Sequence, residues 1–183
     1  MLLIRHAQSE WNLHFGRTRI DPGLPDPPLT VEGVRQAEAV AEELRSADIV
    51  RLVCSPYRRA LQTASIIRER LGLDLTVEPL VRERCAFSCD QGSPPGALAR
   101  DWPHLDFSAL DEIWWGGMIE SHSSLGERCA RFRTRAASWD DQDRVAVVSH
   151  WGFIRALTGQ PLGNIGTVRF RPDDPIHLTE ELR

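Results

Sequence analysis

The sequence predicts a single α/β domain folded as a three-layer sandwich, with a mostly parallel central sheet and helices on both faces. Three observations carry that expectation. Short apolar runs alternate along the chain with amphipathic helical stretches, the pattern of a parallel sheet with crossover helices. The 183 residues suit about one domain, so residues 1–183 are read as one unit. Three of the apolar runs also end directly on polar side chains capable of chemistry.

Leu2, Leu3 and Ile4 form the first run, read as a strand buried on both faces, and the polar string RHAQSEWN follows it at once. A Pro-rich loop, DPGLPDPP, leads to Thr30, a good N-cap, and to the helix VEGVRQAEAVAEELRS. Val34, Ala37, Ala41 and Leu44 are its expected inner face. IVRLVC (49–54) reads as the second strand. Ser55 is expected to cap the next helix, with Pro56 at its first position and Leu61, Ala64, Ile67 and Leu71 on one face. LTV (75–77) is the third strand, and residues 85–121 read as a variable, loop-rich insertion carrying a few short helices. Residues 122–139 place Leu125, Cys129, Phe132 and Ala136 on a helical period, DRVAVVSH is a β-branched fourth strand, and TVRF (167–170) is an edge strand. The acidic tail beyond it has no core pattern.

With 42% hydrophobic and 26% charged residues the composition is that of a globular protein. The net charge of −4, from 22 basic and 26 acidic residues, argues against nucleic acid or an anionic membrane surface as partner and sets no oligomeric state. Every basic residue is arginine. Within this acidic chain Arg5, Arg17 and Arg19 face a single early acid, Glu10, and Arg51, Arg58, Arg59, Arg68 and Arg70 cluster around Glu69. Two such stretches predict a small anionic ligand. No apolar run approaches the roughly 18 residues of a membrane span, and no secretion pattern follows Met1, so a cytoplasmic location is expected. Cys54, Cys85, Cys89 and Cys129 are irregularly spaced and read as free thiols. Cys85 and Cys89 have no second pair at ligand spacing, so neither metal nor cofactor is expected.

In open parallel sheets ligands collect at the C-terminal ends of the strands. Here three such ends deliver Arg5-His6, the segment Ser55 to Arg59, and Ser149-His150 to one crevice. That set suits phosphoryl transfer: a guanidinium offers planar, permanently charged donors to phosphate oxygens, and a neutral imidazole can act as nucleophile. A carboxylic acid is then needed for the leaving oxygen. Arg59, in the first turn of a helix, gains further anion affinity from unpaired backbone N–H groups. His14, His104, His122 and His177 have no such company and read as surface or structural residues. Cys129 and Arg135 have the Cys-x5-Arg spacing, but the bulky ARFRT between them lacks glycine and lies in a helical pattern; no serine stands in a Gly-x-Ser-x-Gly elbow.

LIRHAQSEWN, DPPLTVEGVRQA, CSPYRRALQTA, the short VRE at 81–83 and VVSHWGFIRAL, in that order, resemble the histidine phosphatase superfamily, the phosphoglycerate mutase-like group. The likeness covers most of residues 2–157, with 85–118 outside it. It implies a phosphoglycerate mutase-like fold and a metal-independent phosphomonoesterase acting on a small phosphorylated substrate. It further implies His6 as the nucleophile that becomes phosphorylated, Arg5 and Arg59 as phosphoryl clamps, Glu83 as proton donor and His150 as a second histidine holding phosphoryl oxygens. Asn12 matches a phosphate contact and Ser121 a looser substrate contact. Two other readings share the scaffold: a phosphoglycerate mutase that returns the phosphoryl group to substrate, and a non-catalytic phospho-ligand or protein-binding domain. Three departures bear on substrate. Ala7 replaces the glycine of the usual RHG, a methyl able to crowd His6. Trp151 replaces the first glycine of SHGG, as pocket wall or as core. RCAFSCDQG stands where a Gly-x-Trp-Glu-Gly segment is usual. Trp102, Trp114 and Trp115 are candidates for an outer pocket wall contributed by residues 85–121.

Overall fold

The structure, a computed structural model, describes residues 1–174. Five strands form one sheet in the order β3-β2-β4-β1-β5: β1 Leu2–Arg5, β2 Arg51–Cys54, β3 Asp74–Val77, β4 Val145–Ser149 and β5 Thr167–Arg169. β1, β2, β3 and β4 pair in parallel, and β5 runs antiparallel on the β1 edge, where the sequence expects an edge strand.

Side-chain alternation along these strands builds two cores. Leu2, Ile4, Leu52, Cys54, Leu75, Ala146 and Val148 face helices α2 (Val31–Leu44) and α3 (Arg58–Leu71). Leu3, Val53, Val145 and Val147 face α5 (His122–Ala137) and α6 (Trp151–Thr158). This is the three-layer sandwich. Ala37, Ala41 and Leu44 of α2 are buried as the period predicts, while Val34 is exposed. Leu61, Ala64 and Ile67 of α3 and Leu125, Cys129, Phe132 and Ala136 of α5 are all buried. Thr30 caps α2, its hydroxyl accepting from Gly33 N–H at 2.8 Å. The 85–121 segment contains a 3-10 turn, Ser88–Asp90, and one short α-helix, α4 (Pro95–Asp101), and contributes Trp102, Phe107 and Trp114 to the α2/α3-side core.

Three local readings are corrected. α3 starts two residues later than the Ser55-Pro56 signal: its N-cap is Tyr57, and Ser55 is kept for the site. Two helices follow polar strand ends where no period marks them. α1 (Glu10–Thr18) buries only Trp11, and it is held at its start by a reciprocal cap between Ser9 and Asn12. α6 buries Phe153, Ile154, Ala156 and Leu157 but spans only eight residues, too few for that face to read as a period. All four cysteines are buried free thiols.

Candidate active site

The C-terminal ends of β1 and β4 are hydrogen-bonded neighbours, with Arg5 in register with Ser149, so the residues that follow them emerge together. His6 and His150 lie with ring centroids 5.0 Å apart. His6 Nδ1 is 2.7 Å from the Ala7 carbonyl, which can only accept, so Nδ1 carries the proton and Nε2 keeps its lone pair. Burial, reinforced by the charges of Arg59 and Arg5, pushes the His6 pKa well below the ordinary imidazole value. The ring is neutral and nucleophilic. His150, wholly buried behind it, is pushed down by burial and by Arg59 as well. Its Nε2 is 2.8 Å from Ser55 Oγ, which also accepts from Tyr57 N–H at 3.4 Å. With the serine proton donated to Nε2, Nδ1 of His150 becomes a donor. That Nδ1 and Arg5 Nε are buried side-chain nitrogens with no hydrogen-bond partner among the described residues. Unpaired buried donors cost stability unless a ligand uses them, and phosphoryl oxygens are the acceptors such donors suit.

Arg59, at the start of α3, donates to the Cys89 carbonyl at 2.7 Å and pairs with Asp90 at 3.2 Å, both side chains almost wholly buried. Asp90 Oδ2 also accepts from the N–H groups of Ala86 and Phe87, at 3.1 and 3.0 Å, and its carbonyl accepts from Tyr57 Oη at 2.6 Å. One aspartate thus orients the guanidinium and the loop over it.

Glu83 reaches the site from the turn after β3. Its carboxyl accepts from Arg84 N–H at 2.8 Å and from Gly152 and Phe153 N–H, at the start of α6, at 3.0 and 3.1 Å. Position 152 must be glycine for this docking: a Cβ there would lie 2.5 Å from Glu83 Oε1. Burial, aided by the charge of Asp90, raises the Glu83 pKa above the ordinary carboxyl value, while the N–H donors pull the other way. The result is a carboxyl biased to hold a proton beside donors that stabilise the anion once the proton leaves.

Arg5, His6, Asn12, Arg59, Glu83 and Trp151 all line one cavity of about 610 Å³; His150 is not in the lining, and its ring centroid lies 5.0 Å from that of His6. Asn12 Oδ1 is engaged by Ser9 and by Asn164, leaving its Nδ2 as donor. Ser121 is not in the lining; it caps α5, its hydroxyl accepting from Ser124 N–H, and no substrate contact is carried forward for it. Ala7 does not crowd His6 either, because its methyl packs with Leu29 and Ala37 away from the cavity. Trp151 is wall rather than core, at 38% exposure. Of the expected outer wall, Ala86, Phe87, Cys89 and Asp90 line the cavity, whereas Trp102 and Trp114 are core residues. Of the basic clusters, Arg5, Arg19 and Arg59 reach the cavity, while Arg51 pairs with Asp141, Arg58 with Asp101 and Arg70 with Glu38.

Sequence reasoning missed Asp90, Asn164, which donates to the His6 carbonyl at 3.0 Å, and the rings Trp11, Phe15 and Phe87. The four-residue spacing of Trp11, Phe15 and Arg19 was the available signal. His177 lies outside the described residues. No group of three or more His, Cys, Asp or Glu suited to a metal ion occurs among the described residues, and no helix there is long and apolar enough to cross a membrane.

Paired buried imidazoles, two guanidiniums and a carboxyl with a raised pKa, at the strand ends of a mostly parallel sheet, make an α/β protein with a site suited to phosphoryl groups. A model of the Histidine phosphatase superfamily (branch 1) matches residues 1–172, and the chain belongs to that superfamily. Membership implies phosphohistidine-based phosphatase or mutase activity. The chain is 40% identical over 173 residues to a probable phosphoglycerate mutase GpmB of Enterobacter sp., covering 88% of this chain and 74% of that one. It is 42% identical over 81 residues to its counterpart in Proteus mirabilis, where the match spans 44% of this chain but only 36% of the relative. Among solved structures it resembles a mycobacterial glucosyl-3-phosphoglycerate phosphatase, with a TM-score of 0.62 and 26% identity over 91% of this chain and 87% of the other.

Proposed function

We propose that the protein is a metal-independent phosphomonoesterase that works through a phosphohistidine at His6. The observation that carries this reading is the His6 tautomer: Nδ1–H is held by the Ala7 carbonyl, so Nε2 is available in a cavity shared with Arg5, Arg59 and Glu83. Nε2 attacks phosphorus, the P–O bond to the alcohol breaks, and Glu83 gives its proton to the leaving oxygen. Water then attacks the phosphohistidine, Glu83 takes the water's proton, the N–P bond breaks, and inorganic phosphate leaves. Arg5, Arg59, the Nδ2 of Asn12 and the Nδ1 of His150 hold the phosphoryl oxygens, their fixed charges and dipoles stabilising the charge of the transition state. The phosphatase named in the mycobacterial structure supports this reading.

The test is phosphate release from 4-nitrophenyl phosphate with chelator present. Wild-type turnover is expected to persist, and His6→Ala to lower kcat by about three orders of magnitude or more. Activity retained in the variant sinks the mechanism. The mutase reading is favoured by the names of the relatives. It is separated by whether 3-phosphoglycerate is converted to 2-phosphoglycerate or only loses phosphate.

A further inference from the structure

The outer part of the cavity is made of rings. Trp11, Phe15, Phe87 and Trp151 all line it. α1 presents Trp11 and Phe15 one turn apart, stacked at 4.4 Å and 12°, and Phe87 leans on them at 5.1 and 5.4 Å. The wall is braced: Trp11 Nε1 donates to Asp21 at 3.0 Å, and Asp21 also accepts from Ser88 N–H at 2.8 Å and from the Ser88 hydroxyl. That ties the Phe87 loop to the segment leaving α1. Phe87 is 43% and Trp151 38% exposed, and both line the cavity, so their ring surface is open to what the cavity holds.

Position matters as much as composition. Trp151 stands immediately before Gly152 and Phe153, whose N–H groups hold the Glu83 carboxyl. A leaving oxygen protonated by Glu83 therefore lies at the start of α6, and the atoms bonded to it emerge beside the indole. The cavity's remaining arginines are partly engaged: Arg84 Nε donates to the Glu120 carbonyl at 3.1 Å, and the Arg19 guanidinium lies 5.8 Å over the Phe15 ring.

Building on the phosphatase reading, we propose that the substrate is a phosphate monoester whose alcohol carries a planar aromatic group, packed against the Trp11, Phe15 and Phe87 wall and Trp151, in preference to a small polar acid. Stacking on rigid rings favours such a group without demanding hydrogen-bond partners.

The experiment compares 2-(2-naphthyl)ethyl phosphate with glycerol 3-phosphate and 3-phosphoglycerate. All three leave through an alkyl oxygen, so the effect of the ring is separated from that of a more acidic leaving group. kcat/KM is measured for the wild type, Trp151→Ala, Phe87→Ala and Trp151→Phe, with His6→Ala as blank. The wild type is expected to prefer the naphthyl ester by about tenfold or more. Both alanine variants are expected to shrink that preference several-fold, mainly through KM, and Trp151→Phe to restore most of it. Equal kcat/KM for the three esters, or a preference untouched by both alanine variants, overturns the inference while His6-dependent turnover leaves the phosphatase reading standing. Absence of turnover with every ester, or turnover that survives His6→Ala, removes that reading and this inference together.

Discussion

At the scale of single residues, the proposed reaction asks for a neutral His6 and a protonated Glu83, and the surroundings push each group in that direction. His6 is pushed toward its neutral form by burial and by the charges of Arg59 and Arg5, the same guanidiniums that the proposed mechanism sets on the phosphoryl group. Glu83 is held toward its protonated form by burial and by Asp90, the same carboxylate that steers Arg59. The two shifts open a working window. Below it His6 takes up a proton and loses its lone pair; above it Glu83 loses the proton the leaving oxygen needs. Asp90→Asn withdraws a negative charge near Glu83 and leaves the Arg59 charge uncompensated, and both changes lower the Glu83 pKa. The falling limb of the pH profile of kcat/KM is therefore expected to move to lower pH. A limb that stays in place would show that Glu83 does not feel Asp90.

Between residues and the whole molecule stand the elements that carry the acid. Glu83 lies on no strand or helix, so its backbone needs an external anchor, and Arg128 of α5 supplies it. The guanidinium donates to the carbonyls of Leu80 at 2.9 Å and Arg82 at 2.7 Å, and pairs with the buried Glu120. Arg128→Leu leaves the buried Glu120 with Arg82 alone, at 3.3 Å, and takes the donors from two carbonyls, so it is expected to cost about 3 kcal/mol, a loss of roughly 6–12 °C in Tm for a chain of this size, together with a fall in kcat. Arg70→Ala, which breaks the half-exposed pairs with Glu38 and Glu42, is expected to cost less than about 1 kcal/mol. Thermal melts of both variants test the contrast. The same two levels explain what the sequence reveals. Strands buried on both faces read as unbroken apolar runs, and α2, α3 and α5 show a period because one face of each meets the sheet. α1 and α6 do not, the first because it buries little beyond Trp11 and the second because it is only eight residues long. Likewise, the side chains at strand ends could be found in the sequence, since chemistry follows directly on an apolar run. Asp90 and Asn164 could not, because each meets its partner from a loop far along the chain: Asp90 reaches Arg59 across 31 positions, and Asn164 reaches His6 across 158.

For the molecule as a whole, the sheet order is the device that assembles the site. β4 lies between β1 and β2, so the ends of three strands separated by up to about 145 positions become adjacent, and Arg5, Ser55 with Arg59, and His150 converge on one point. An anion bound there ties three chain segments together and exists only in the folded state. Inorganic phosphate, the product of the proposed reaction, is therefore expected to stabilise the protein by mass action: at a hundredfold excess over Kd the gain is about 2.7 kcal/mol, or roughly 5–11 °C in Tm. Arg5 contributes a buried Nε with no partner among the described residues, while its Nη1 is already committed to the Leu162 carbonyl at 2.8 Å. Arg5→Gln should thus remove most of the phosphate-dependent rise and leave the smaller, general stabilisation that phosphate gives by exclusion from protein surfaces. Melting curves of both proteins across a phosphate titration decide the matter. Parallel rises in the two would mean that phosphate does not bind where the strand ends meet.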